Sequence, residues 1–432
     1  MLHTVLASPN ATSLSRIHHD HAEILAAAKP VLMATPATLA SVTKPTPIAD
    51  VVIIDAAAHL PPVLLLSILC RARQVVVLAH RQTITSGSID DLVQLLPDIT
   101  VQPHPTRRDP RVNMFLVEQG YGEVTNDVVR ENVQGHVLYH QIEATGVPVM
   151  ASGLVESSQQ EIDEIVAMIT RRAQTFTIVP GSYILTVVCM TETFRTRLGA
   201  ELKSLATKNE FMGRFLRHVR IVDITDVTGA HATDVIISMS YAKTSHGRLL
   251  QQFGALESDG GRGMLLDALA LADHHIDIVS AFGADDLEDD RLHHAGSKML
   301  KTVLQWAQRL GNEQPIEPQP HPDASNVLID DLANRIRERG LNVAVDYGLD
   351  NGMRLPMVVG AKDKPYMLAV FTDDAQFMGI QSTRERHRIL QQEMGALGWS
   401  VMTIWSVAAF VNPEKEVDRV VARLGELYQE NK

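Results

Sequence analysis

Short apolar runs rich in β-branched residues punctuate the first three quarters of the chain: VVIID (51–55), QVVVLAH (74–80), SYILTVVCM (182–190), RIVDI (220–224), DVIISMSYA (234–242) and HIDIVSAF (275–282). Their near-continuous apolar character predicts strands buried on both faces. Between them, EIDEIVAMITRRAQ (161–174) places Ile162, Ile165, Val166 and Ile169 on one face of a helix. Such strands alternating with amphipathic helices predict a largely parallel α/β sheet, in two units meeting near residues 125–145.

The texture changes at 311-GNEQPIEPQPHPDAS-325, where prolines in a polar span disfavour both helix and central strand and predict a linker. Beyond it, residues 326–341 read as an amphipathic helix. LNVAVDYG (341–348), YMLAVFTDD (366–374) and WSVMTIW (399–405) read as strands, and EVDRVVARLGELYQ (416–429) as a closing helix.

Composition bounds what these elements do. A chain of 432 residues with 45% hydrophobic content exceeds one ordinary core, so two or three domains are expected. The net charge of −12 argues against a broad phosphate-neutralising surface and leaves DNA contact to local patches. Cys70 and Cys189 are the only cysteines, which excludes a disulfide framework and a cysteine zinc site. With no signal-peptide pattern and no long apolar run, a cytoplasmic protein with no membrane contact is expected.

No stretch satisfies GxxxxGK[ST], the glycine-rich turn that cradles nucleotide phosphates. Yet the order of segments has a family likeness. VVIIDAAAHL (51–60), RQVVVLAHRQTI (73–84) and HPTRRDPRVNMFL (104–116) resemble the Walker B, motif III and motif IV regions of superfamily 1 DNA/RNA helicases, as found in bacterial helicase–nuclease fusions. The resemblance implies that Asp55 matches the magnesium-binding aspartate, Gln82 the γ-phosphate sensor, and Arg107 or Arg108 a phosphate-contacting arginine.

DVTGAHATDVIISMSYA (226–242) looks like motif V, keeping Gly229, and residues 253–282 look like the motif VI region. There Leu271, Ala272, Asp273 and His274 stand where the family carries arginines. Ala56 stands where a catalytic glutamate would follow Asp55. These departures imply an ATP site reduced to remnants and no resident nucleotide cofactor.

Residues 340–413 resemble the restriction-endonuclease-like domain related to very short patch repair endonucleases, through the helix TRERHRILQQEM (383–394), the turn Gly398-Trp399 and the strand end Trp405-Ser406. Metal-dependent cleavage requires converging carboxylates. The matched positions hold Pro356 and Phe371, which leaves Asp346 and Asp373 as candidates for a rebuilt site, with magnesium implied only if that site survives. Arg384, Arg386 and Arg388 are the candidate DNA contacts, with Glu385 and Glu393 placed to pair with them along a helix. Trp399 and Trp405 are expected in the core, and the paired histidines His274-His275 and His293-His294 at the surface.

The expected architecture is therefore α/β throughout. A truncated first RecA-like lobe without a P-loop spans 1–135 and a second RecA-like lobe 136–312. A Pro-rich linker covers 313–325, and a small restriction-endonuclease-like domain 326–432. The expected function is that of a catalytically degenerate helicase/nuclease-like protein, a scaffold or regulatory partner in DNA metabolism or defence. It would pair with a P-loop helicase or ATPase subunit that supplies the missing nucleotide cradle. The alternatives are a magnesium-dependent DNA endonuclease using Asp346 and Asp373, or a DNA-binding module.

Overall fold

A computed structural model of the protein describes residues 13–55, 57, 60, 62–79, 87–99, 104–122, 124, 126–148, 155–156, 159–228, 230–311, 313–321, 326–350, 352–380 and 382–430. The chain forms two compact units, Met1–Thr100 and Val101–Lys432. The sheet-bearing segments are α/β, as the strand and helix patterns predict.

In the first unit, β1 (Ala49–Ile54) pairs in parallel with β2 (Ala72–Val77) across the helix α1 (Pro62–Leu69). Leu65 and Ile68 of α1 pack on Ile54, while Val51 and Ile53 remain exposed. Arg71 ties the unit together, donating to the Thr43 hydroxyl at 2.7 Å and its carbonyl at 2.8 Å.

The second unit begins with α2 (Pro110–Glu118) and contains a five-stranded sheet: β3 (Val137–Gln141), β4 (Leu185–Cys189), β5 (Val219–Asp223), β6 (Asp234–Ser238) and β7 (Ile276–Ser280). Its order is β3-β7-β6-β4-β5, every pairing parallel. All five residues of β4, β6 and β7 are buried, which explains their unbroken apolar runs. The strand pleat sends Ile236 toward α3 (Gln159–Thr175) and Val235 and Ile237 toward α4 (Gly261–Ala270) and α5 (Ala295–Leu310).

A second sheet follows: β8 (Gln319–Pro320), β9 (Asn342–Gly348), β10 (Arg354–Gly360), β11 (Leu368–Thr372) and β12 (Ser400–Ile404), in that spatial order. Pairings from β8 to β11 are antiparallel, and β11 and β12 run parallel. Part of the Pro-rich segment is thus the edge strand β8, the position a sheet leaves to proline. One face is covered by α6 (Val327–Glu338) and α8 (Pro413–Glu430), through Leu332, Ile336, Val420 and Leu424.

The other face packs on Met394 of α7 (Leu390–Ala396), on Leu397 and Trp399, and on Val128 and Val129 from the segment before β3. Trp399 donates its indole N–H to the Val128 carbonyl at 2.6 Å, and the Arg130 amide donates to the Leu397 carbonyl at 3.1 Å. Gly352 is required where this segment crosses, since a Cβ there would stand 2.3 Å from the Asn126 carbonyl oxygen. The described residues of 104–135 therefore fold with the second compact unit. Among the described residues, no helix is long and apolar enough to cross a membrane.

Candidate functional site

The carboxylates Asp346 and Asp373 stand on or just beyond β9 and β11, with β10 between those strands. By register Asp346 lies level with Pro356 and Phe371, and Asp373 follows two residues later. At the usual spacing of strands, their Cα atoms are about 10 Å or more apart. Each carboxylate also has its own partner. Asp346, whose backbone takes the left-handed φ of 49°, is held by the Arg354 guanidinium at 2.6–2.8 Å. Asp373 accepts from the Ser406 amide at 2.6 Å and hydroxyl at 2.9 Å, at the start of the short helix Ser406–Val411. Partial burial opposes its ionisation, and the two Ser406 hydrogen bonds outweigh that, holding Asp373 below the usual carboxylate range.

Arg384 and Arg388 are exposed, on and beside a single π-turn, Glu385–Ile389. Among the described residues, neither pairs with Glu385 or Glu393. Of these pairs only Glu385 and Arg388 stand three residues apart, and they lie within the π-turn, whose wider i→i+5 bonding shifts that adjacency. Arg386 instead lies 5.9 Å from the centroid of the Phe377 ring and contacts the Met378 sulfur at 3.6 Å. Trp399 is buried as its apolar setting predicts, but Trp405 is 44% exposed and faces Phe377 and His387 edge-on or tilted.

Of the residues matched to nucleotide motifs, Asp55 belongs to the first unit and Arg107 and Arg108 to the second. Asp55 is exposed at the end of β1, and Gln82 and Gly229 lie outside the described residues. Arg107 donates to the Ala396 carbonyl of the second sheet's helix layer. Arg108 is buried and donates to the carbonyls of Ala272 at 2.7 Å and Ala270 at 2.6 Å and to Asn113 Oδ1 at 3.2 Å. Its guanidinium closes the C-terminal end of α4, with the charge sign that end favours.

A polar constellation absent from the sequence reading gathers at the N-terminal edge of the parallel sheet. Asp234 opens β6, Asp277 is the second residue of β7, and Arg172 comes from the last turn of α3. Arg172 bridges both carboxylates, at 2.7 Å from Asp234 Oδ2 and in close contact with Asp277 Oδ2. Tyr183 donates to Asp234 Oδ2 at 2.8 Å, and His140 Nε2 lies 2.9 Å from Asp277 Oδ1. His136, His274 and His275 stack beside them, with ring centroids 3.9 Å and 3.6 Å apart. His274 and His275 therefore leave the surface position expected of them. They occupy the extended turn before β7 and converge, whereas adjacent side chains on a helix diverge by about 100°.

Burial, with neighbouring positive and imidazole groups, pushes His275 down to about 2, and burial also lowers His274 and His136. The unfolded chain then binds these protons more readily than the folded one. Stability is accordingly full above pH ~6.5 and is lost as pH falls below it, approaching about 1.4 kcal/mol per pH unit from His275, with a smaller contribution from the more exposed His136. Denaturant melts from pH 7.5 to 5 in metal-free buffer should show this decline, and His275→Asn should flatten it.

The C-terminal sheet defines a class. Its mixed pairing and helices on both faces give the restriction-endonuclease-like type of domain. Residues 329–424 match the family REase_MTES_1575, a restriction-endonuclease-like family. No curated protein matches the chain.

Proposed function

We propose that the chain is a catalytically degenerate helicase- and nuclease-like protein. It acts as a scaffold or regulatory partner in DNA metabolism or defence, with the parallel sheet as a RecA-like lobe. The observation that carries this reading is the separation of Asp346 from Asp373, each engaged by its own partner. Two carboxylates so placed lack the convergence that magnesium-assisted hydrolysis requires. Arg108 supports the same reading, because its donors serve helix carbonyls and not a phosphate. A P-loop ATPase subunit is the partner that would complete such a lobe.

Purified protein should leave linear and supercoiled DNA intact with Mg²⁺ or Mn²⁺. Cleavage that disappears in Asp373→Ala would overturn the proposal. A second reading, non-cleaving DNA contact, is favoured by the exposed guanidiniums of Arg384 and Arg388. Under it, the double variant Arg384→Ala/Arg388→Ala reduces the slope of log affinity against log salt by about two. An unchanged slope would remove those residues from the interface.

A further inference from the structure

The stacked histidines at the N-terminal edge of the parallel sheet have a feature that packing does not explain. His274 Nε2 lies 3.1 Å from the Val133 carbonyl oxygen, which can only accept, so Nε2 carries the proton. In the neutral ring His274 Nδ1 then bears a lone pair, and it faces Asp234 Oδ1 at 3.7 Å, beyond hydrogen-bond reach. Two electron-rich atoms thus face each other without a shared proton, and the only hydrogen bond to Asp234 Oδ1 among the described residues comes from the His275 amide at 3.2 Å. His275 brings a third donor atom, its Nδ1, which accepts the His136 amide N–H at 3.1 Å.

We propose that Asp234, His274 and His275 bind a divalent metal ion of the zinc class. One ligand atom from each of the three residues falls within 4.8 Å of the others. A carboxylate and two neutral imidazoles suit a borderline cation, which takes such ligands at about 2.0–2.2 Å. Binding draws the donors together, opens the 3.6 Å ring stack, and exchanges the His136 hydrogen bond on His275 for the metal. The surrounding groups already orient the ligands. Val133 fixes the tautomer of His274, while Tyr183 and Arg172 occupy Asp234 Oδ2 and turn Oδ1 toward the rings.

The adjoining cavity, about 480 Å³, leaves room for water at the remaining coordination position. Val133 follows closely on Arg130, whose amide bonds to Leu397 of the restriction-endonuclease-like layer. The His274–Val133 hydrogen bond therefore links the parallel sheet to the segment that packs on the second sheet.

The test uses the full chain, stripped with a chelator and titrated with Zn²⁺ by calorimetry, and with Co²⁺ by visible absorption. One ion per chain is expected, with Co²⁺ bands of tetrahedral nitrogen and oxygen ligation and a rise in the melting midpoint. His274→Gln and His275→Gln should each weaken binding at least tenfold, while His321→Gln, outside the cluster, should not. No stoichiometric binding, an octahedral all-oxygen Co²⁺ spectrum, or binding unaffected by either glutamine variant would overturn the proposal. The Co²⁺ spectrum of the unaltered protein keeps the test decisive if a variant fails to fold.

Discussion

Arg172→Met should destabilise the protein by about 3–5 kcal/mol, because it removes the cation that two buried carboxylates share. Methionine keeps much of the stem volume, so the loss reports charge and hydrogen bonding more than a cavity. Desolvation works against the Arg172 charge, but Asp234 and Asp277 outweigh it and hold the guanidinium above its ordinary range. Without it, Asp234 keeps Tyr183 and the His275 amide, and Asp277 keeps His140. Neither set supplies a permanent positive charge. Adding Asp277→Asn should restore part of the stability, since one carboxylate fewer then needs compensation. Urea melts at pH 7.5 on the wild type, the two single variants and the double variant give the coupling energy directly. A loss below about 1 kcal/mol for Arg172→Met would show that water already neutralises the pair.

The strands were the most legible feature because full burial leaves a mark that sequence can carry. VVIID, SYILTVVCM, DVIISMSYA and HIDIVSAF each contain or overlap an observed strand. β3 was harder to see: HVLYHQ mixes apolar residues with histidine because this edge strand is only partly covered. In the C-terminal domain, the Gly-Trp turn and the arginine-rich helix pointed to the restriction-endonuclease-like class that residues 329–424 match. The N-terminal polar cluster was not legible. His136, Arg172, Tyr183, Asp234 and His275 come from separate elements and meet only when the parallel sheet aligns their strand starts. The one local clue was the His274-His275 pair ahead of an apolar run, and judging it by helical geometry hid the convergence that an extended turn allows. In the arginine-rich helix, the π-turn at Glu385–Ile389 shifts the one three-residue spacing, Glu385 to Arg388, that could carry an ion pair.

Arg108→Met separates a structural arginine from a phosphate-binding one. The guanidinium gives two hydrogen bonds to carbonyls at the end of α4 and a third to Asn113 of α2, so it joins two helices of one core. Burial lowers it to about 10, which leaves it charged at neutral pH. Truncation strands the Ala270 and Ala272 carbonyls and removes positive charge from a helix C-terminus. Hydrogen bonds to a charged donor contribute about 1.5–3 kcal/mol each, so a loss of about 3 kcal/mol or more is expected after relaxation. Arg108→Lys should recover only a fraction, because one ammonium cannot span acceptors on both sides of the planar fork. The helicase resemblance would instead have Arg108 contact nucleotide, and a phosphate ligand lost on truncation weakens binding while leaving the unliganded melt intact. Chemical denaturation without nucleotide, followed by an ATP-binding measurement, distinguishes the two. A large loss of stability in the unliganded protein assigns Arg108 to the core, and an unchanged melt with weakened nucleotide binding would return it to a phosphate site.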